Sequence, residues 1–209
     1  MSNRNNLHDL SEAKCVHLCV DMQRLFAELT DWHTPWMTQI LPAVRRITEE
    51  HVNRTIFTRF IPAERPGEGH GLWKKYYERW PTMTVEQLGP EMLELVPDLA
   101  AFVPPAFVVD KHVYSPWLGD GLQQQLKALE AETLIVTGGE TDLCVLATVL
   151  GAVDYGYRVI VVTDALCSSS DTTHDSILRL YSTRFGQQVE TATTEELLLV
   201  WPNPVQDKV

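Results

Sequence analysis

Five short apolar runs rich in β-branched residues recur along the chain, each followed by a stretch that suits a helix. They are Val16–Val20 closed by Asp21, Thr55–Thr58 closed near Arg59, Phe107–Asp110 closed by Lys111, Thr133–Thr137 closed by Gly138 and Gly139, and Val159–Thr163 closed by Asp164. A weaker sixth covers Gln188–Thr191. Runs of this length without polar alternation fit strands covered on both faces, as in a parallel sheet. Between them, Pro35–His51 places Trp36, Ile40, Val44 and Ile47 on one stripe, and Gly121–Ala131 does the same with Leu122, Leu126 and Leu129. Leu143–Tyr155 is apolar almost all round, which predicts a helix buried against the sheet. A cap at Asp171 or Thr172 opens a helix through Phe185, and one at Thr193 or Thr194 opens a short helix ending at Trp201 before Pro202. Strands alternating with such helices predict right-handed βαβ units in a doubly wound α/β sheet, a three-layer αβα arrangement of Rossmann-like type.

At 209 residues the chain fits one domain, 1–209, with enough core to fold without staples. Its charge balance, 17 − 28 = −11, argues against nucleic acid or an anionic membrane as partner. No apolar run reaches the ~18 residues of a spanning helix. The polar opening Met1–Asn6 shows no apolar core of a signal peptide, so a cytoplasmic protein is expected. The four cysteines agree with a reducing compartment. Cys15 and Cys19 stand ~13 Å apart along a strand, too far to bridge, and no zinc-finger spacing is present.

One segment breaks the rhythm. Residues 61–97 hold five prolines, four glycines and the aromatic cluster Trp73, Tyr76, Tyr77 and Trp80. Long irregular connections often form lids or binding loops. The helical spacing of the four rings equally fits a short helix packed on the core or on a partner subunit.

In an open α/β sheet, ligands bind beyond the carboxyl ends of the strands. Asp21 ends the first strand, Lys111 the third, and Cys144 follows the fourth through the turn Gly138–Cys144. A thiol in the first turn of a helix is expected to favour its thiolate, and an adjacent ammonium to lower its pKa further. A carboxylate alongside can take its proton. Each residue alone has a structural explanation; their convergence on one rim points to chemistry.

These segments resemble a known family. Val20-Asp21-Met22-Gln23-Arg24-Leu25-Phe26, Lys111-His112-Val113-Tyr114-Ser115-Pro116-Trp117 and Gly139-Glu140-Thr141-Asp142-Leu143-Cys144-Val145 are similar, in order, to three motifs of the isochorismatase-like cysteine hydrolases, relatives of nicotinamidase and N-carbamoylsarcosine amidohydrolase. Val162–Ala165 fits their fifth strand, and the likeness spans about residues 15–195. The resemblance implies a six-stranded parallel sheet and a homo-oligomer, dimer or tetramer. It implies Cys144 as nucleophile, Asp21 as general base and Lys111 as charge partner. It also implies a cis peptide at Gly139–Glu140, with the backbone amides of Glu140 and Cys144 forming an oxyanion hole. Glu140 departs from the small or apolar residue common in nicotinamidases.

Nicotinamidases of this family hold a metal near the end of the second strand, where this chain has Phe60 and Pro62, which cannot ligate. A single imidazole at His70 makes no site, so no metal and no cofactor are expected. Phe26, Trp117 and the Trp73–Trp80 cluster are candidates for an aromatic wall, and Arg59 for gripping a substrate carboxylate. Cys167 fits a packing role better than a pocket one. The activity expected is hydrolysis of a small carboxamide, ureido or carbamoyl compound through a thioester. Vinyl-ether hydrolysis, which needs only the acid, and a non-catalytic scaffold are the alternatives.

Overall fold

The computed structural model describes residues 7, 10 and 14–202. The Met1–Asn6 opening lies outside the described residues. Six strands form one sheet: β1 (Cys15–Val20), β2 (Thr55–Phe60), β3 (Phe107–Lys111), β4 (Thr133–Gly139), β5 (Arg158–Cys167) and β6 (Val189–Ala192). Their order is β3-β2-β1-β4-β5-β6 and every pairing is parallel. The chain therefore winds outward from β1 in both directions, and the carboxyl ends of β1, β2, β3 and β4 share one rim. The expected three-layer αβα sheet is present.

Alternation along the fully buried β1 divides the core in two. Cys15 and Cys19 face a layer built with α2 (Met37–Glu50), α5 (Pro97–Ala100) and α9 (Thr194–Val200). Val16, Leu18 and Val20 face the opposite layer, with α6 (Asp120–Ala128), α7 (Leu146–Asp154) and α8 (Asp171–Arg184). The helices follow the sequence stripes to within a few residues, except that Trp36, expected on the core-facing stripe, sits just before α2 and is exposed, with Met37 buried in its place. The α8 cap is Ser170 rather than Asp171 or Thr172; its hydroxyl accepts from the Thr173 amide. At α9, Thr193 and Glu196 form a reciprocal capping box. Strand β5 runs on past Asp164 to Cys167, with a register shift against β4 that carries it alongside Gly139.

Residues 61–97 are more ordered than their prolines suggest. They contain α3 (Trp73–Arg79), α4 (Val85–Leu88) and a single turn at Pro90–Leu93, and α1 (Arg24–Ala27) packs beneath them. Leu25, Met83 and Leu93 form a separate apolar cluster with Phe26, Trp32 and Trp80. This cap is fastened by Gln23, which is fully buried. Its amide nitrogen donates to the Phe60 and Leu93 carbonyls at 3.1 and 2.7 Å, and its oxygen accepts from the Phe60 amide at 2.7 Å.

Candidate active site

Strand ends β1, β3 and β4 bring three reactive groups together. Lys111 Nζ lies 2.6 Å from Asp21 Oδ2 and 3.3 Å from Cys144 Sγ, and donates also to the Val113 carbonyl at 3.3 Å. The carboxylate of Asp21 is hydrogen-bonded to the thiol as well. Its other oxygen accepts from the Thr58 hydroxyl at 2.6 Å, so β2 fixes the rotamer of the residue that follows β1. Asp21 has φ 51°, a left-handed conformation that non-glycine residues seldom hold. The Asp21 amide is tied there to the Thr58 carbonyl at 3.2 Å. All three reactive groups are buried, and the Lys111 ammonium also stands 4.9 Å over the ring of Phe60.

Between β4 and α7 the chain makes a wide π turn, Thr141–Val145, which presents Cys144. The Gly139–Glu140 peptide is cis. The turn is held from behind: Thr141 donates to the Cys167 carbonyl at 3.0 Å, and Asp142 accepts from the Ser168 and Thr173 hydroxyls, both at 2.5 Å. Gly138 is required where β4 meets β1, because a Cβ there would overlap the Val20 backbone.

The electrostatics reverse one expectation. Burial pushes the Cys144 thiol well above the ordinary cysteine range and the Asp21 charge adds to this, while Lys111 pulls the other way without prevailing. The thiol at rest is protonated, not the thiolate that the helix position and ammonium led one to expect. Burial also works against the Lys111 ammonium, but Asp21 and Cys144 outweigh it and hold its pKa above the usual lysine value.

Cys144 opens onto a cavity of about 250 Å³ lined by Phe26, Trp32, Phe60, Tyr76, Trp80 and Tyr114 together with Asp31, His33, Glu140, Leu143 and Ser169. Phe26, one of the candidate contacts, lines this cavity. Three other candidate contacts do not. Arg59 holds Asp110 in a bidentate pair at 2.8 and 3.0 Å and Glu94 at 2.7 Å, so its guanidinium is committed across the β2–β3 edge and does not line the cavity. Trp117 lies on the α6–α7 side, packed against Tyr155 and Tyr157, and donates to the Thr148 carbonyl at 2.8 Å. Trp73 stands behind the wall, in contact with Phe60, Tyr76 and Tyr114, and faces a separate recess beside Pro62 and His70. The wall residues that sequence reasoning missed are chiefly Trp32, Phe60 and Tyr114. Phe60 and Tyr114 stood inside segments already singled out, and Tyr76 and Trp80 carried the same helical spacing as Trp73. Cys167 is buried under Gly139, away from this cavity.

The Glu140 side chain reaches the cavity wall, where it accepts from the Thr34 hydroxyl at 3.0 Å and is bonded by Ser169. Burial raises its pKa above the usual carboxylate value. Among the described residues no three His, Cys, Asp or Glu side chains group to hold a metal ion, so the residues present do not fit the metal of the nicotinamidases. No helix among them is long and apolar enough to cross a membrane.

The sequence profile of the Isochorismatase domain matches residues 15–193. An uncharacterized isochorismatase family protein of Bacillus subtilis, YwoC, is 32% identical over 111 residues, which cover 50% of this chain and 57% of that protein. Matched this way, the chain spans about half the length of the curated relatives it resembles. A cysteine hydrolase from Pseudomonas syringae superposes with a TM-score of 0.74 at 22% identity, over 96% of this chain and 98% of that one. An N-carbamoylsarcosine amidase from Thermoplasma acidophilum does so with a TM-score of 0.69 at 20% identity, over 87% and 97%.

Proposed function

The chain belongs to the isochorismatase family, and from that premise we propose that it is a cysteine-dependent hydrolase of a small carboxamide, ureido or carbamoyl compound. The observation that carries this reading is the Lys111 ammonium standing between Asp21 and Cys144, the last of which lines the cavity. A scaffold has no use for a buried carboxylate, ammonium and thiol in mutual contact, since burying such charges costs several kcal/mol per ion before pairing offsets it.

In the proposed sequence, Asp21 takes the thiol proton as the substrate carbonyl settles over Cys144. The sulfur attacks the carbonyl carbon, and the displaced electron pair forms an oxyanion facing the Glu140 and Cys144 backbone amides. Lys111 offsets the negative charge shared between Asp21 and sulfur. Collapse of the tetrahedral species breaks the C–N bond, and the proton held by Asp21 leaves with the nitrogen as ammonia or an amine. Asp21 then draws a proton from water, which attacks the thioester; the acid departs and the thiol is restored. Each oxyanion donor is worth about 10²–10³ in kcat, and the Asp21 proton transfers about 10²–10⁴. No metal or other cofactor has a step in this sequence. On the resemblance stated above, the protein is proposed to work as a homo-oligomer.

A screen for ammonia release over primary amides and ureido acids tests the reading. Wild type should release ammonia from at least one of them, and Cys144→Ala from none; activity retained by Cys144→Ala removes the proposal.

A further inference from the structure

The wall of the reaction cavity carries information about the substrate beyond its amide. Six rings line it, and four of them are in contact through Trp32, which stacks on Phe26 at 6.2 Å, lies 5.6 Å from Tyr76 and meets Phe60 edge-on at 5.9 Å. Two carboxyl groups share that wall, Asp31 and Glu140, and no lysine or arginine is among its lining residues. Both carboxyls are held by hydroxyls rather than cations, Asp31 by Thr82 and Glu140 by Thr34 and Ser169. Of the neighbouring cations, Lys111 is committed to Asp21 and Arg59 to Asp110 and Glu94, while Arg79 stands over the ring of Trp80 at 5.3 Å.

A carboxylate on the substrate would find no lysine or arginine among the lining residues, His33 being the basic side chain there, and would meet two carboxyls, Glu140 half-buried and Asp31 at the exposed rim. A cation would find ring faces, each worth about 0.5–2 kcal/mol depending on desolvation, and carboxyls at the same wall. Aromatic enclosures of this composition suit quaternary ammonium and pyridinium groups, which shed water easily.

Building on the hydrolase reading above, we propose that the amide taken by this cavity carries a positive charge, flat or quaternary, on its non-reacting half, and that Asp31 and Glu140 discriminate against amides bearing a carboxylate. These two are specificity residues; neither side chain takes part in the bond changes at Cys144.

Three probes of one shape separate the possibilities: benzamide, 3-carbamoyl-1-methylpyridinium and 3-carbamoylbenzoate. Binding is measured calorimetrically to Cys144→Ala, and ammonia release is measured with wild type. The pyridinium should bind about tenfold more tightly than benzamide, with the carboxylate weakest. Adding Asp31→Asn, on the exposed rim, or Glu140→Gln should narrow the gap between cation and anion severalfold. Equal binding of the three, no binding of any, or preference for the carboxylate overturns the proposal. Preferential binding of the pyridinium without ammonia release from any amide keeps this recognition and removes the hydrolase reading. Release favouring the carboxylate keeps the hydrolase reading and removes this one.

Discussion

A thiol at the head of a helix, with an ammonium 3.3 Å away, would ordinarily ionise readily; beneath the ring wall, burial decides otherwise for Cys144. In the proposed mechanism Cys144 is then activated only when Asp21 takes its proton, which ties reactivity to bound substrate. Iodoacetamide should therefore alkylate Cys144 slowly at pH 7 without substrate, accelerating only as pH rises beyond the ordinary cysteine range near 9. A plateau of fast alkylation reached by pH 7, read by peptide mass spectrometry, contradicts this. At this scale the sequence was informative wherever chemistry coincides with a strand end. Asp21, Lys111 and Cys144 were legible because a parallel sheet places such ends on one rim. Arg59 and Trp117 were misjudged for one reason: each sits near that rim in sequence, but its side chain leaves on another side, to Asp110 and Glu94 or to the Thr148 carbonyl. The depressed thiol pKa failed because desolvation depends on neighbours such as Phe60 and Tyr114 that arrive from distant segments.

Among the elements, β1 bears the most constraint, with all six residues buried. Its apolar positions were readable as a short apolar run, within which His17 is the one polar residue. It is an internal polar joint: Nε2 lies 2.8 Å from the Thr137 hydroxyl on β4, and Nδ1 lies 3.3 Å from that of Thr55 on β2. Burial lowers its pKa from 6.5 to about 3, so the folded protein keeps the imidazole neutral. The unfolded chain takes up a proton near 6.5, which favours unfolding as pH falls. The stabilisation is thus intact above about 6.5 and declines at about 1.4 kcal/mol per pH unit toward the folded-state value. Urea midpoints between pH 7 and 5 should fall accordingly, and His17→Gln should flatten that slope; an unchanged slope in His17→Gln contradicts the assignment. The π turn at Thr141–Val145 was not legible as such, since its width comes from contacts with Cys167, Ser168 and Thr173 rather than from local propensity.

For the molecule as a whole, the sheet supplies the reactive groups and the cap over β1 and β2 supplies the pocket. The alternation of runs and helices revealed the sheet and its winding. The cap was obscured because prolines and glycines mark turns without saying where the turns pack. Gln23 joins the two bodies through three buried hydrogen bonds, and an unmet buried donor or acceptor costs about 1–3 kcal/mol. Gln23→Ala should speed amide hydrogen exchange across residues 61–97 while leaving β4 and β5 protected; equal loosening of cap and sheet would show that the two do not separate in this way. The most direct test of the account as a whole is intact mass measurement of the enzyme, acid-quenched while hydrolysing an amide found by the ammonia screen. A mass increase equal to the acyl group, mapped to Cys144 and absent from Cys144→Ala, is the predicted result. Turnover with no adduct under conditions that trap thioesters, or an adduct on any other residue, would contradict it.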